Sequence, residues 1–134
     1  MLTDLLSAAP GTIIAQFSPL PSAPEDLVRY AQASGDSNPL HLDLEFARQA
    51  GFDNLVVHGM LNMAHLGRLL TEHFPAERIR SFSARFEGVV LVGQRVTYRA
   101  SLAERTGDGF QLALEGLLLN GARVISGQAF VSAS

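Results

Sequence analysis

The chain has no cysteine in its 134 residues. That excludes disulfides, thiolate nucleophiles and zinc–thiolate sites, and it leaves the redox compartment unspecified. Lysine is absent as well: all ten basic residues are arginine, so an anion site here would have to use planar guanidinium forks. Positive charge is not in excess either. The formal net charge is -3, which offers no broad electrostatic footprint for nucleic acid or an anionic membrane. No apolar run reaches the length of about 18 residues that a spanning helix needs. Met1 to Pro10 carries Asp4, has no basic start and has too short an apolar stretch for a secretory signal. The expectation is a soluble, cytoplasmic protein with neither a membrane nor a nucleic-acid partner.

What is present suffices for a core. With 47% hydrophobic and 17% charged residues, the composition is that of a folded globular chain. The length predicts one domain over 1–134, with 1–10 as a loosely ordered lead-in. Thr12 to Phe17 is a short β-branched and apolar run between Gly11 and Pro19 and reads as a strand. Ser22 and Glu25 have the spacing of a capping box, opening a helix that carries Leu27, Tyr30, Ala31 and Ser34 on one face. Gly35 is its natural stop. Asp43 can cap a second, short helix through Phe46 and Ala47, closed by Gly51, and Leu55-Val56-Val57 is a brief extended piece.

Gly59 to Phe74 is apolar around most of its circumference, as expected of a buried central helix. Its polar line, Asn62, His65, Arg68 and Glu72, is expected to face water, with Met60 and Met63 filling the core. From Ile79 the period changes to two. Ile79–Phe86 is expected to supply one strand, and Val96, Tyr98, Ala100 and Leu102 form the buried face of another. Thr106 to Gly109 is a turn, and Phe110 to Leu119 the next strand. Asn120-Gly121 is the strongest hairpin signal in the chain, followed by a strand over 123–131. The fold class is α+β: an antiparallel sheet wrapped around one long helix.

The chemistry concentrates between Ser34 and Met60. Asp36 and His41 stand five positions apart in a segment broken by Gly35 and Pro39, and His58-Gly59 opens the central helix. An acid, an imidazole and the free amides of a helix start can together handle a proton and polarise a carbonyl. Each residue also has a plainer reading. Asp36 can make an Asx-turn, His41 can be a packed loop histidine, and His58 can hydrogen-bond to backbone near the helix start. His41, His58 and His65 lack compact metal-ligand spacing, so no metal is expected.

The segment Ser34-Gly35-Asp36-x-Asn38-Pro39-Leu40-His41, followed by Val57-His58-Gly59-Met60, resembles the signature of the MaoC-like dehydratases. That family includes the (R)-specific enoyl-CoA hydratases and has the hot-dog fold. Ala84-Arg85-Phe86, with Val89-Val90 and Gly93, is similar to the family's strand after the central helix. The resemblance covers about 23–96 well and the C-terminal strands in outline.

The resemblance implies that Asp36 and His41 form a dyad holding a water, that Asn38 helps to fix its geometry, and that the Gly59 amide meets the thioester oxygen. His58 is a further substrate-binding candidate beside Gly59, and Leu55, Met63 and Gly67 are candidates for the acyl pocket. One departure is Gly67, where some (R)-hydratases have a serine. The implied activity is reversible hydration of a trans-2-enoyl-CoA or other enoyl thioester to the (3R)-hydroxyacyl thioester, with no cofactor and an acyl-CoA substrate. The implied assembly is a homodimer joined sheet to sheet. Arg85, Arg95, Arg99 and Arg123 are candidates for contacting the polyanionic CoA. Two other readings stay open: a hot-dog thioesterase, and a non-catalytic acyl-binding subunit of a heterodimeric dehydratase.

Overall fold

The computed structural model describes residues 2–134; Met1, part of the expected lead-in, lies outside them. Helix α1 (Leu2–Ser7) leads into strand β1 (Ile13–Phe17), then helices α2 (Pro24–Ser34), α3 (Pro39–Leu42), α4 (Leu44–Gln49) and α5 (Gly59–His73). Strands β2 (Ile79–Phe86), β3 (Val96–Arg105), β4 (Gly109–Leu118) and β5 (Arg123–Ser132) complete the chain. The sheet has the order β1-β3-β4-β5-β2 with every pairing antiparallel. The long helix α5 packs against β1 to β4.

The period-2 pattern of β3 is realised: Val96, Tyr98, Ala100 and Leu102 are all buried. Together with Leu112, Leu114, Ile125 and Ala129 they meet Leu66, Leu69 and Leu70 of α5 in one core. Each fully buried leucine contributes about 1.5–3 kcal/mol relative to exposure, and this burial, not helix propensity, holds α5 in place. The β4–β5 hairpin turns at Asn120-Gly121. Gly121 has φ 86°, a left-handed conformation that favours glycine, and the Asn120 side chain accepts from Ala122 N at 2.9 Å.

Four expectations shift. The lead-in is tied down from Leu5 onward. The Leu5 side chain is fully buried, and Arg105 donates to the backbone carbonyls of Leu5 and Ala8. The start of α2 moves by one residue: Ala23 is the cap, Pro24 the first helical residue, and Asp26, not Glu25, reaches back to Ala23 N at 2.8 Å. The polar line of α5 is also only half solvated. Asn62 is buried and accepts from the Tyr98 hydroxyl at 3.0 Å, and His65 is half-buried against Phe17 and Tyr98. Only the Arg68–Glu72 pair, at 2.7 Å, lies in water, because the curved sheet reaches around the first half of the helix. Met60 is 54% exposed, since the first turn of α5 projects beyond the core. No helix among the described residues is long and apolar enough to cross a membrane.

Candidate active site

The site is assembled from three backbone devices around α2, α3 and the start of α5. Gly35 ends α2 in the left-handed region (φ 80°), its N–H returning to Ala31 O at 2.9 Å. The chain therefore turns sharply at Asp36. Asn38 then caps α3: its side chain accepts from Leu40 N at 3.0 Å, and Pro39 occupies the first helical position, where no donor is lost. The one-turn helix lifts His41 towards the extended segment at Val56. That strip is laced in both directions, with Val56 N donating to Leu40 O at 3.0 Å and the His41 ring meeting Val56 O at 2.6 Å.

These contacts define the state of His41. A carbonyl accepts only, so Nδ1 carries the proton bonded to Val56 O, and in the neutral ring Nε2 holds a lone pair. Nε2 lies 3.7 Å from Asp36 Oδ2. The other carboxylate oxygen, Oδ1, accepts from Asn38 N at 3.3 Å. The Asx-turn therefore occupies one oxygen of Asp36 and leaves the other facing His41. The His41 side chain is 11% exposed and that of Asp36 52%, so the dyad has a buried partner and one open to solvent. One water bridging a 3.7 Å gap can sit at ordinary hydrogen-bond distance from both acceptors.

Gly59 follows directly. It opens α5, and neither its amide nor that of Met60 makes a backbone hydrogen bond among the described residues; the first helical bonds start at Leu61 N and Asn62 N, both to His58 O. Such free amides at a helix start suit developing negative charge. The Phe86 ring lies beside Gly59, about 3.5 Å from where a Cβ would stand, so α5 presents backbone here with an aromatic wall from β2.

His58 departs from its expected place. Its ring is 1% exposed, packed behind His41 and not on the open side of the site where a substrate-binding residue is expected. Its Nε2–H donates to Asp36 O at 3.1 Å, and it stacks on His41 with centroids 3.8 Å apart and planes 23° apart. Tyr30 packs on the same ring at 4.7 Å. Burial pushes the His58 pKa down, which keeps the ring neutral. The spacing argument about metals also needs revision. Ligand atoms of Asp36, His41 and His58 all lie within 4.8 Å of one another, while His65 is apart.

Of the acyl-pocket candidates, Leu55 belongs to the core, Met63 is partly buried against it, and a Cβ on Gly67 would stand 3.4 Å from the Phe82 ring. A cavity of about 530 Å³ opens between α2 and α5, with Leu20, Tyr30, Leu61 and His65 in its wall, and neither dyad residue lines it. Among the candidate cations, Arg99 is paired with Glu115 at 3.0 Å; its Nε is close but not aligned for a hydrogen bond. Arg123 grips both oxygens of Glu87, at 2.6 and 3.0 Å. Arg85 and Arg95 make no ion pair among the described residues.

Sequence reasoning missed the carbonyl of Val56, because a backbone acceptor has no residue signature. It also missed Tyr30 and Phe86 as walls. Tyr30 had a signal, its place on the Leu27 face of α2; Phe86 had none beyond strand alternation.

An antiparallel sheet curled around one long helix, with the functional residues at the helix start, is the hot-dog fold, and solved structures share it. An (R)-hydratase from A. caviae involved in PHA biosynthesis is 30% identical, with a TM-score of 0.82 over 96% of this chain and 98% of that one. An unliganded R-hydratase from Pseudomonas aeruginosa is 25% identical, with a TM-score of 0.83 over 96% of this chain and 84% of that one. The family model for the MaoC like domain matches residues 6–115, and the chain belongs to that family. A mitochondrial 3-hydroxyacyl-(acyl-carrier-protein) dehydratase of Arabidopsis thaliana is 44% identical over 72 residues, 54% of this chain and 43% of that protein. The chain thus spans less than half the length of this curated relative.

Proposed function

We propose that this chain is a hydratase/dehydratase that adds water across the double bond of a 2-enoyl thioester and removes it from a (3R)-hydroxyacyl thioester. The observation that carries the reading is the 3.7 Å gap between Asp36 Oδ2 and His41 Nε2, two acceptors in the same site as His58, whose neighbour Gly59 opens α5 with an amide that makes no backbone bond among the described residues. A water donating one hydrogen to each would keep its lone pairs free for C3. As its oxygen bonds to C3, the dyad takes one proton, negative charge moves onto the thioester oxygen, and the Gly59 amide stabilises it. A proton from the dyad then goes to C2, so the pair ends as it began and one water is consumed. The proton transfers each account for about 10²–10⁴-fold in rate. No step needs a metal or a cofactor.

The relatives named as (R)-hydratases and as an acyl-carrier-protein dehydratase support the reaction class, and the carrier is the finer question. We favour an enoyl-CoA, with Arg85 and Arg95, the candidate cations left unpaired, available to its phosphates. We also favour a homodimer through β2. Among the described residues that strand pairs with β5 alone and leaves its other edge open, while Met60, Phe86 and Val89 are exposed apolar groups of the kind an interface covers.

The test is the ultraviolet absorbance of crotonyl-CoA with a parallel assay for free thiol. Loss of the conjugated band with no thiol released is expected; thiol release would overturn the reading in favour of a thioesterase. Loss of the band from the acyl-carrier-protein thioester but not from the CoA ester would overturn only the choice of carrier.

A further inference from the structure

The buried ring of His58 touches several parts of the site at once. Its Nε2–H holds the backbone carbonyl of Asp36 at 3.1 Å. Its face lies against the His41 ring at 3.8 Å. Its own backbone is the cap of α5, whose carbonyl takes Leu61 N at 3.0 Å and so sets the direction of the adjacent Gly59 amide. Tyr30 of α2 closes on the ring at 4.7 Å, tying the helix before Asp36 to the same point. We infer that His58 is a positioning residue: it locks the carboxylate, the imidazole and the helix-start amide to one another without touching substrate.

The reasons are geometric. Asp36 sits on a loop and is half exposed. Its carboxylate is steadied by one bond, from Asn38 N, and its main chain by two: its own N–H donates to Ser34 Oγ at 3.2 Å, and its carbonyl accepts from His58. Removing the latter leaves the carbonyl side of Asp36 unheld, and its side chain must stay within a water's span of His41. The Nδ1 atom of His58 is buried with no partner among the described residues, a cost that an apolar aromatic ring at this position would not carry. A residue selected for packing alone would avoid that cost; a donor aimed at Asp36 O accepts it. Burial lowers the pKa of His58, so the donor stays neutral and adds no charge beside His41.

The inference rests on the proposed reaction class for its meaning, but its test does not. His58→Phe keeps an aromatic ring for the stack and removes the donor. His58→Gln removes the ring and keeps an amide N–H able to reach Asp36 O. For His58→Phe, kcat is expected to fall by about 10²-fold, the scale of a small misplacement of reacting groups, with KM within about 3-fold of wild type. His58→Gln should recover part of that kcat. An unchanged kcat in folded His58→Phe, a rise in KM alone, or no recovery in His58→Gln would overturn the inference. Should His58→Phe fail to fold, long-range 15N spectra of the wild-type imidazoles decide: Nε2 protonated and Nδ1 bare at His58 is expected, and the opposite tautomer removes the donor to Asp36 and the inference with it. Because the kinetic split can be read on whichever thioester reaction the wild type catalyses, thiol release would overturn the proposed reaction class while leaving this result interpretable.

Discussion

From Val96 to Ser132 the chain is three strands of ten residues each, joined by two tight turns and held by alternating apolar side chains over one face of α5. From Asp36 to Asn62 it has helices of four and six residues before α5 begins, and the key contacts are single bonds to backbone carbonyls: Val56 O for His41, Asp36 O for His58. In the sheet many equivalent contacts share the work, so the loss of one side chain is felt as stability. In the site a few non-equivalent contacts each fix one reacting group, so the loss of one is felt as rate. Burial is non-directional and additive, whereas a hydrogen bond to one carbonyl fixes a tautomer and an angle. A small domain can therefore keep an exposed carboxylate in register with a buried imidazole only by fastening the backbone around them.

That contrast can be broken at either end. The largest effect is expected from His41→Ala, which removes one acceptor of the dyad: kcat should fall about 10²–10⁴-fold with the thermal midpoint little changed, measured by steady-state kinetics and calorimetry. Leu102→Ala, in the fully buried face of β3, should do the reverse. A loss of about 2–5 kcal/mol of stability is expected, read by denaturant unfolding, with kcat of the folded fraction close to wild type. Asn38→Ala sharpens the comparison, because Asn38 belongs to both worlds: its side chain caps α3 while its N–H holds Asp36. About 0.5–2 kcal/mol should be lost with the cap, together with a drop in kcat smaller than that of His41→Ala.

The smallest effect is in the pH dependence of stability. Burial depresses the pKa of His58 and of His65, and Arg68 adds to the depression at His65. The unfolded chain then binds more protons than the native one below the ordinary histidine value of about 6.5. Stability from keeping these rings neutral is fully present above that pH and is lost as pH falls towards the depressed native values. The midpoint of thermal unfolding should drop on acidification through this window, and less so in His65→Gln; an equal drop in both would remove His65 from the account.

How far the sequence could be read follows the same division. Strand alternation in β3, the Asn120-Gly121 turn, Gly35 as a helix stop and Asp43 as the cap of α4, accepting from Phe46 N at 3.1 Å, are all local signals, and all are realised. Asp36 and His41 were legible through the motif they share, and proximity in sequence became proximity in space. What was not legible depends on partners far along the chain. Asn62 reads as a solvent-facing helix position, yet Tyr98, 36 residues away, buries it. His58 reads as a neighbour of the helix start, yet its bond runs back 22 residues to Asp36. Gly67 carries no sign in the sequence of its neighbour Phe82, 15 residues on, which stands 3.4 Å from where a Cβ would be. Helix periodicity gives the face of a residue and leaves open which element will cover that face.

The most direct test of the dyad is Asp36→Asn. The amide can keep the turn by accepting from Asn38 N, while the charge and one acceptor are lost opposite His41. A fall in enoyl-thioester hydration of about 10²–10⁴-fold, with unfolding unchanged, is the result expected if Asp36 and His41 act on one water. A folded Asp36→Asn protein that hydrates at close to the wild-type rate would contradict it.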